Sequence, residues 1–121
     1  VLTVNENPEI QNVAAAAALA AQQAGQALIV DVREPAEFAA ERIAGALNLP
    51  LSTFDPSSLL AVVDPARVIF QCGSGMRSMK AVVACRLSGL PADRHLAGGI
   101  GAWKAAGLPV IRIDPATGQP A

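Results

Sequence analysis

The sequence predicts an open α/β domain of about five mostly parallel strands flanked by helices on both faces. Two observations predict it. Ala27–Val32 (ALIVDV) and Arg67–Cys72 (RVIFQC) are near-continuous apolar runs, as expected of strands buried on both faces. Capped segments of helical pattern alternate with them, the signature of strand–helix–strand units. The length, 121 residues, suits one domain over residues 1–121, with a core over 2–112 and a loose Pro/Gly-rich tail over 113–121.

Leu2–Val4 is a candidate first strand. Asn7–Gly25 reads as one helix, with Asn7 as N-cap, Pro8 in the first turn, an Ala-rich body and Gly25 as the stop. Ala27–Val32 is the second strand. Glu34–Ile43 is a helix with Pro35 near its start, and Gly45 ends it. Ala46–Pro50 holds a short third strand, and Ser52–Asp64 a short helix capped by Ser or Asp. Arg67–Cys72 is the next buried strand. Arg77–Gly89 is a helix stopped by its final glycine. Asp93–Gly99 contains the last strand, and Gly101–Gly107 a short helix.

Composition narrows the function classes. Nine Lys and Arg against ten Asp and Glu leave no basic footprint for nucleic acid. Phe38, Phe54, Phe70 and Trp103 are the whole aromatic complement, too few for stacking platforms. No apolar run approaches a membrane span, and Val13–Ala21 lacks the charged flank of a signal peptide. A cytoplasmic location is the default expectation. Cys72 and Cys85 make no disulfide framework, and a single His95 without a CxxC pair gives a metal little to bind. No cofactor is expected.

The chemistry concentrates in Gln71–Ser78 (QCGSGMRS). In a parallel α/β sheet the ligand site lies beyond the carboxyl ends of the strands, where Cys72 stands. Gly73, Ser74, Gly75 and Met76 then lead to a helix beginning near Arg77 or Ser78. Small residues allow a tight bend that turns successive N–H groups inward, and the new helix adds its unpaired ones. Such an anion cradle lowers a thiol pKa and favours the nucleophilic thiolate. The sulfur is expected to be open to solvent, with Arg77 adding positive charge at the rim. Attack on a sulfane sulfur would leave a persulfide; attack on phosphate would leave a phosphocysteine. Cysteine phosphatases resemble this loop, but carry one residue more between Cys and Arg than the four here, and Ser78 stands where their Arg would fall. A single sulfur fits the narrower loop better than a tetrahedral oxyanion.

The chain resembles a single-domain rhodanese, a thiosulfate-type sulfurtransferase. Leu28–Leu51 resembles that family's Asp-Val-Arg strand end, its Glu-Phe/Tyr helix and its Gly-Ala-x-Asn turn. Cys72–Ser78 (CGSGMRS) matches its catalytic loop, and His95–Val110 (HLAGGIGAWKAAGLPV) its closing segment. The three stretches occur in the expected order. The chain departs where the family often reads Gly-His-Ile-Pro-Gly-Ala: Glu41–Ala46 puts Arg42 in place of the His, with a mild effect expected. Loop side chains vary in the family and tune the acceptor.

The resemblance implies transfer of a sulfane sulfur from thiosulfate, a persulfide or a polysulfide to a thiol or cyanide through a Cys72 persulfide. The partners implied are a small anionic donor, that acceptor, and a protein acceptor as a further option, with neither nucleic acid nor membrane. Cys72 is the expected nucleophile. Gly73, Ser74, Gly75, Met76, Arg77 and Ser78 are expected to hold substrate, the two serines by hydroxyl hydrogen bonds. Asp31, Arg33 and Glu37 are expected to support the loop, against the alternative that Asp31 and Arg33 form a surface ion pair of little worth. Cys85 and Trp103 read as packing residues. Gly98 and Gly99 read as a turn passing close to the loop. His95, distant from the loop in sequence, reads as structural. Two rival functions stand beside the enzyme: a non-catalytic rhodanese-like module that senses sulfide or binds a partner, and a cysteine phosphatase or arsenate reductase.

Overall fold

The computed structural model describes residues 10–121; the expected strand Leu2–Val4 and the helix start at Asn7 and Pro8 lie outside the described residues. Strands β1 (Gln11–Val13), β2 (Leu28–Asp31), β4 (Leu47–Asn48), β5 (Val68–Gln71) and β6 (Arg94–Leu96) form one parallel sheet in the order β1-β6-β5-β2-β4. Helices α1 (Ala15–Gln23), α2 (Pro35–Ala40), α3 (Met76–Leu87) and α4 (Gly99–Ala105) connect and flank it. β3 (Glu41–Arg42) and β7 (Ile111–Arg112) form a separate antiparallel pair. The five parallel strands and flanking helices agree with the expected class. Among the described residues no helix is long and apolar enough to cross a membrane.

β2 and β5 lie side by side inside the sheet, and their alternating side chains divide between two cores. Ile29 and Ile69 join Ala18, Leu96, Ile100 and Trp103 on the face covered by α1 and α4. Val30, Val68 and Phe70 join Ala81, Val82 and Cys85 on the face covered by α3. All are buried, each large side chain contributing roughly 1.5–3 kcal/mol. Trp103 Nε1–H donates to the Pro109 carbonyl at 2.8 Å, so its one polar atom is satisfied inside the packing.

Three elements differ from expectation. The first helix begins at Ala15, and Gln11–Val13 is instead an edge strand, tied to β6 through Gln11 N–H to Asp93 O (2.8 Å) and Ala97 N–H to Val13 O (2.9 Å). Tertiary pairing there overrides the helical pattern. The helix expected to reach Ile43 stops at Ala40. Arg33 Nη2 takes the Glu41 carbonyl at 2.6 Å, and Glu41 is extended (φ −157°, ψ 134°) in pairing with Arg112. Ser52–Asp64 forms 3-10 turns at Leu51–Thr53 and Pro56–Ala61, the second capped by Asp55, whose carboxylate accepts from Ser57 N–H at 3.0 Å. The tail closes on itself by an antiparallel bridge between Ile113 and Pro120.

The Gly98–Gly99 turn positions the site, as expected. Gly99 has φ +61°, and a Cβ there would lie 2.2 Å from the Cys72 carbonyl oxygen and 2.6 Å from the Gly73 carbonyl carbon. Gly99→Ala should therefore cost about 2 kcal/mol or more in urea unfolding, from left-handed strain and backbone overlap together.

Candidate active site

β5 delivers Cys72 to the carboxyl edge of the sheet, and the loop turns at once into α3. Gly75 makes the turn, with φ +111°. Its N–H donates to Cys72 Sγ at 3.0 Å, and Ser78 Oγ lies 3.5 Å from the same sulfur. Burial pushes the Cys72 thiol up. The Ser78 hydroxyl and the amides of Ser78, Gly75 and Ser74 outweigh it, and the net pKa lies below the ordinary cysteine value. Cys85 shows the contrast: burial without such donors pushes it up to about 11. Both cysteines are free.

The loop carbonyls are engaged on the other side. Ile100 N–H donates to Cys72 O at 2.8 Å, Gly101 N–H to Gly73 O at 3.2 Å, and Gln71 Nε2 to Cys72 O at 2.7 Å. With its carbonyls held by α4 and Gln71, the loop keeps its N–H groups for the sulfur. The same packing corrects one expectation: Cys72 is 1% exposed, not open to solvent. The first turn of α4 closes over the loop from one side, and the core around Phe70 lies on the other. Ser74 and Met76 project outward, Met76 being 73% exposed. Ser74 thus faces the sulfur with its amide rather than its hydroxyl.

Arg77 is committed to a partner. Its guanidinium meets Glu37 in a two-point contact of 2.6 and 3.1 Å, and it packs under Gly73. Glu37 also accepts from Glu34 N–H at 3.0 Å, closing the capping box that starts α2. One carboxylate therefore ties α2 to the start of α3. The Arg77 hydrogen bonds hold Glu37 at about 2, against 4.5 unperturbed, although burial opposes them.

Asp31 and Arg33 form a buried pair, not a surface one: Arg33 Nη2 to Asp31 Oδ2 is 2.8 Å, and Arg33 N–H reaches Oδ1 at 2.9 Å. Asn48 Nδ2 binds the Asp31 and Arg33 carbonyls at 3.0 and 2.9 Å. These contacts fix the end of β2, where Asp31 pairs in register with Gln71 of β5. Arg42, the departure from the family pattern, sits 5.1 Å over the Phe38 ring.

Two residues join the site beyond those singled out in the sequence. Gln71 is buried behind the loop. His95 Nδ1 is 2.9 Å from Ser78 Oγ, one hydroxyl away from the sulfur. The signal for His95 was indirect. It lies shortly before Gly98, and β6 beside β5 sets it level with Phe70, two residues before Cys72.

The Glu37–Arg77 link has a pH signature. Because folding depresses the Glu37 pKa, its contribution is present above about 4.5 and is lost as pH falls toward about 2. The melting-temperature gap between wild type and Glu37→Gln should shrink over that window, and stay small in size because the pair is half exposed.

The rhodanese-like domain family pattern matches residues 14–106. A sulfurtransferase of Allochromatium vinosum is 37% identical over 84 residues, spanning 69% of this chain and 78% of that protein. An uncharacterized protein of Synechocystis is 42% identical over 95 residues, 78% of this chain, which spans about half (52%) of that relative's length. The solution structure of a rhodanese-like domain from Anabaena superposes with a TM-score of 0.73 at 25% identity, covering 93% of this chain and 86% of that one. With a family match over residues 14–106 and a 37%-identical sulfurtransferase among its relatives, the chain belongs to the rhodanese-like domain family.

Proposed function

We propose that the chain transfers a sulfane sulfur through Cys72. The observation that carries this reading is the Gly75 N–H aimed at Cys72 Sγ from 3.0 Å, within a loop whose Cys72 and Gly73 carbonyls are held by α4 and Gln71. A sulfur anion is the species such donors stabilise. The sulfurtransferase name of the Allochromatium relative supports the same chemistry.

In the first half-reaction the Cys72 thiolate attacks the outer sulfur of thiosulfate or a related persulfide. The donor's S–S bond breaks, and sulfite, or the donor thiolate, leaves with the electron pair. Cys72 then carries a persulfide whose outer sulfur is anionic. In the second, an acceptor thiolate or cyanide attacks that outer sulfur, and the bond to Cys72 breaks to restore the thiolate. The loop amides and Ser78 stabilise sulfur charge in both resting forms. Arg77, its charge matched by Glu37, orders the loop more than it recruits the donor. The donor enters from the side of Ser74 and Met76, where the loop is exposed.

The burial of Cys72 favours one alternative, a rhodanese-like module that binds or senses without turning over. Mass spectrometry after thiosulfate or polysulfide treatment separates the two. Transfer predicts a gain of one sulfur atom, retained in Cys85→Ser and absent in Cys72→Ser. A chain that gains no sulfur from any sulfane donor is the binding module. Ser78→Ala should slow alkylation of Cys72 at neutral pH about tenfold, the loss of one hydrogen bond to a charged atom.

A further inference from the structure

We propose that His95 is a positioning residue for Cys72: its Nδ1–H donates to Ser78 Oγ and so turns the Ser78 hydroxyl hydrogen toward the sulfur. This inference rests on the sulfur-transfer reading and extends it to a side chain outside the loop.

The argument is one of hydrogen count. Ser78 Oγ has three polar neighbours: His95 Nδ1 at 2.9 Å, the Gly75 carbonyl at 3.1 Å and Cys72 Sγ at 3.5 Å. A hydroxyl has one hydrogen to give and two lone pairs to receive with. If His95 accepts, that hydrogen is spent on Nδ1 and the sulfur anion gains nothing from Ser78. If His95 donates, the hydrogen is free for Gly75 O or the sulfur. A negative sulfur competes for it with the advantage of charge assistance.

The other ring nitrogen decides between the two tautomers. His95 Nε2 is buried and has no hydrogen-bond partner among the described residues. A proton there would be an orphaned buried donor, which folded proteins rarely tolerate; a bare lone pair costs less. The proton therefore sits on Nδ1. The surroundings also disfavour a charged ring. β1 and β5 set Asn12 and Phe70 beside it in register, and the start of α3 sets Gly75 and Ser78 against it. None of these carries a charge, and burial holds the His95 pKa below its ordinary value. Among the described residues the titratable group facing it is Cys72, through Ser78.

His95 is the chain's one histidine, so its ring is observable without ambiguity. Nitrogen NMR of the labelled, untagged wild type at neutral pH should show Nδ1 protonated and Nε2 bare; the opposite tautomer, or an imidazolium, overturns the proposal. Iodoacetamide alkylation of Cys72 against pH, in a Cys85→Ser background, gives the second readout. His95→Leu should raise the midpoint by about one unit and slow the reaction about tenfold at neutral pH, whereas His95→Asn, which keeps a donor near Nδ1, should restore most of the rate. A folded His95→Leu with an unchanged midpoint makes His95 a packing residue only. Should His95→Leu not fold, the wild-type tautomer decides. Neither readout needs turnover, so absence of persulfide in the wild type counts against sulfur transfer and leaves the His95 result standing.

Discussion

The site depends on which way a handful of peptide groups point. Each peptide of the Cys72–Gly75 loop has an N–H end and a C=O end, and the chain has to send them in opposite directions to make an anion cradle. α4 does the sorting. Its first amides take the carbonyls of Cys72 and Gly73, and Gln71 adds a second bond to Cys72 O. The N–H groups are left facing the sulfur. Gly99 is what lets α4 come near enough, because any Cβ there would occupy the space of the loop backbone.

The rest of the fold holds that geometry from outside. Glu37 links the start of α2 to the start of α3 through Arg77, so the loop's far end is pinned to a neighbouring element. Asp31, Arg33 and Asn48 fix the end of β2 beside Gln71. The two cysteines measure the effect of these arrangements. Both are buried, yet their thiols are displaced in opposite directions, since only Cys72 has donors around its sulfur.

Much of this was legible in the sequence, for physical reasons. β2 and β5 are continuous apolar runs because helices cover both faces, and the glycine at 75 marks a left-handed bend that bulkier residues rarely make. The position of Cys72 just after β5 and the close pass of the Gly98–Gly99 turn over the loop fell where the pattern placed them. The misses share a cause, which is long-range contact. β1 pairs with a strand far along the chain, so its local helical pattern was overruled. Glu41 leaves α2 because Arg33 and β7 hold it. The burial of Cys72 and the approach of His95 both follow from how α4 and β6 pack on the loop, which no spacing within the loop encodes.

The most direct test is an ultraviolet thiolate titration of the wild type, with Cys72→Ser as the blank. The account predicts a single thiol titrating below the ordinary cysteine value that disappears in the variant. A Cys72 that titrates at or above that value, as the buried Cys85 does, would mean that the inward amides do not stabilise a sulfur anion.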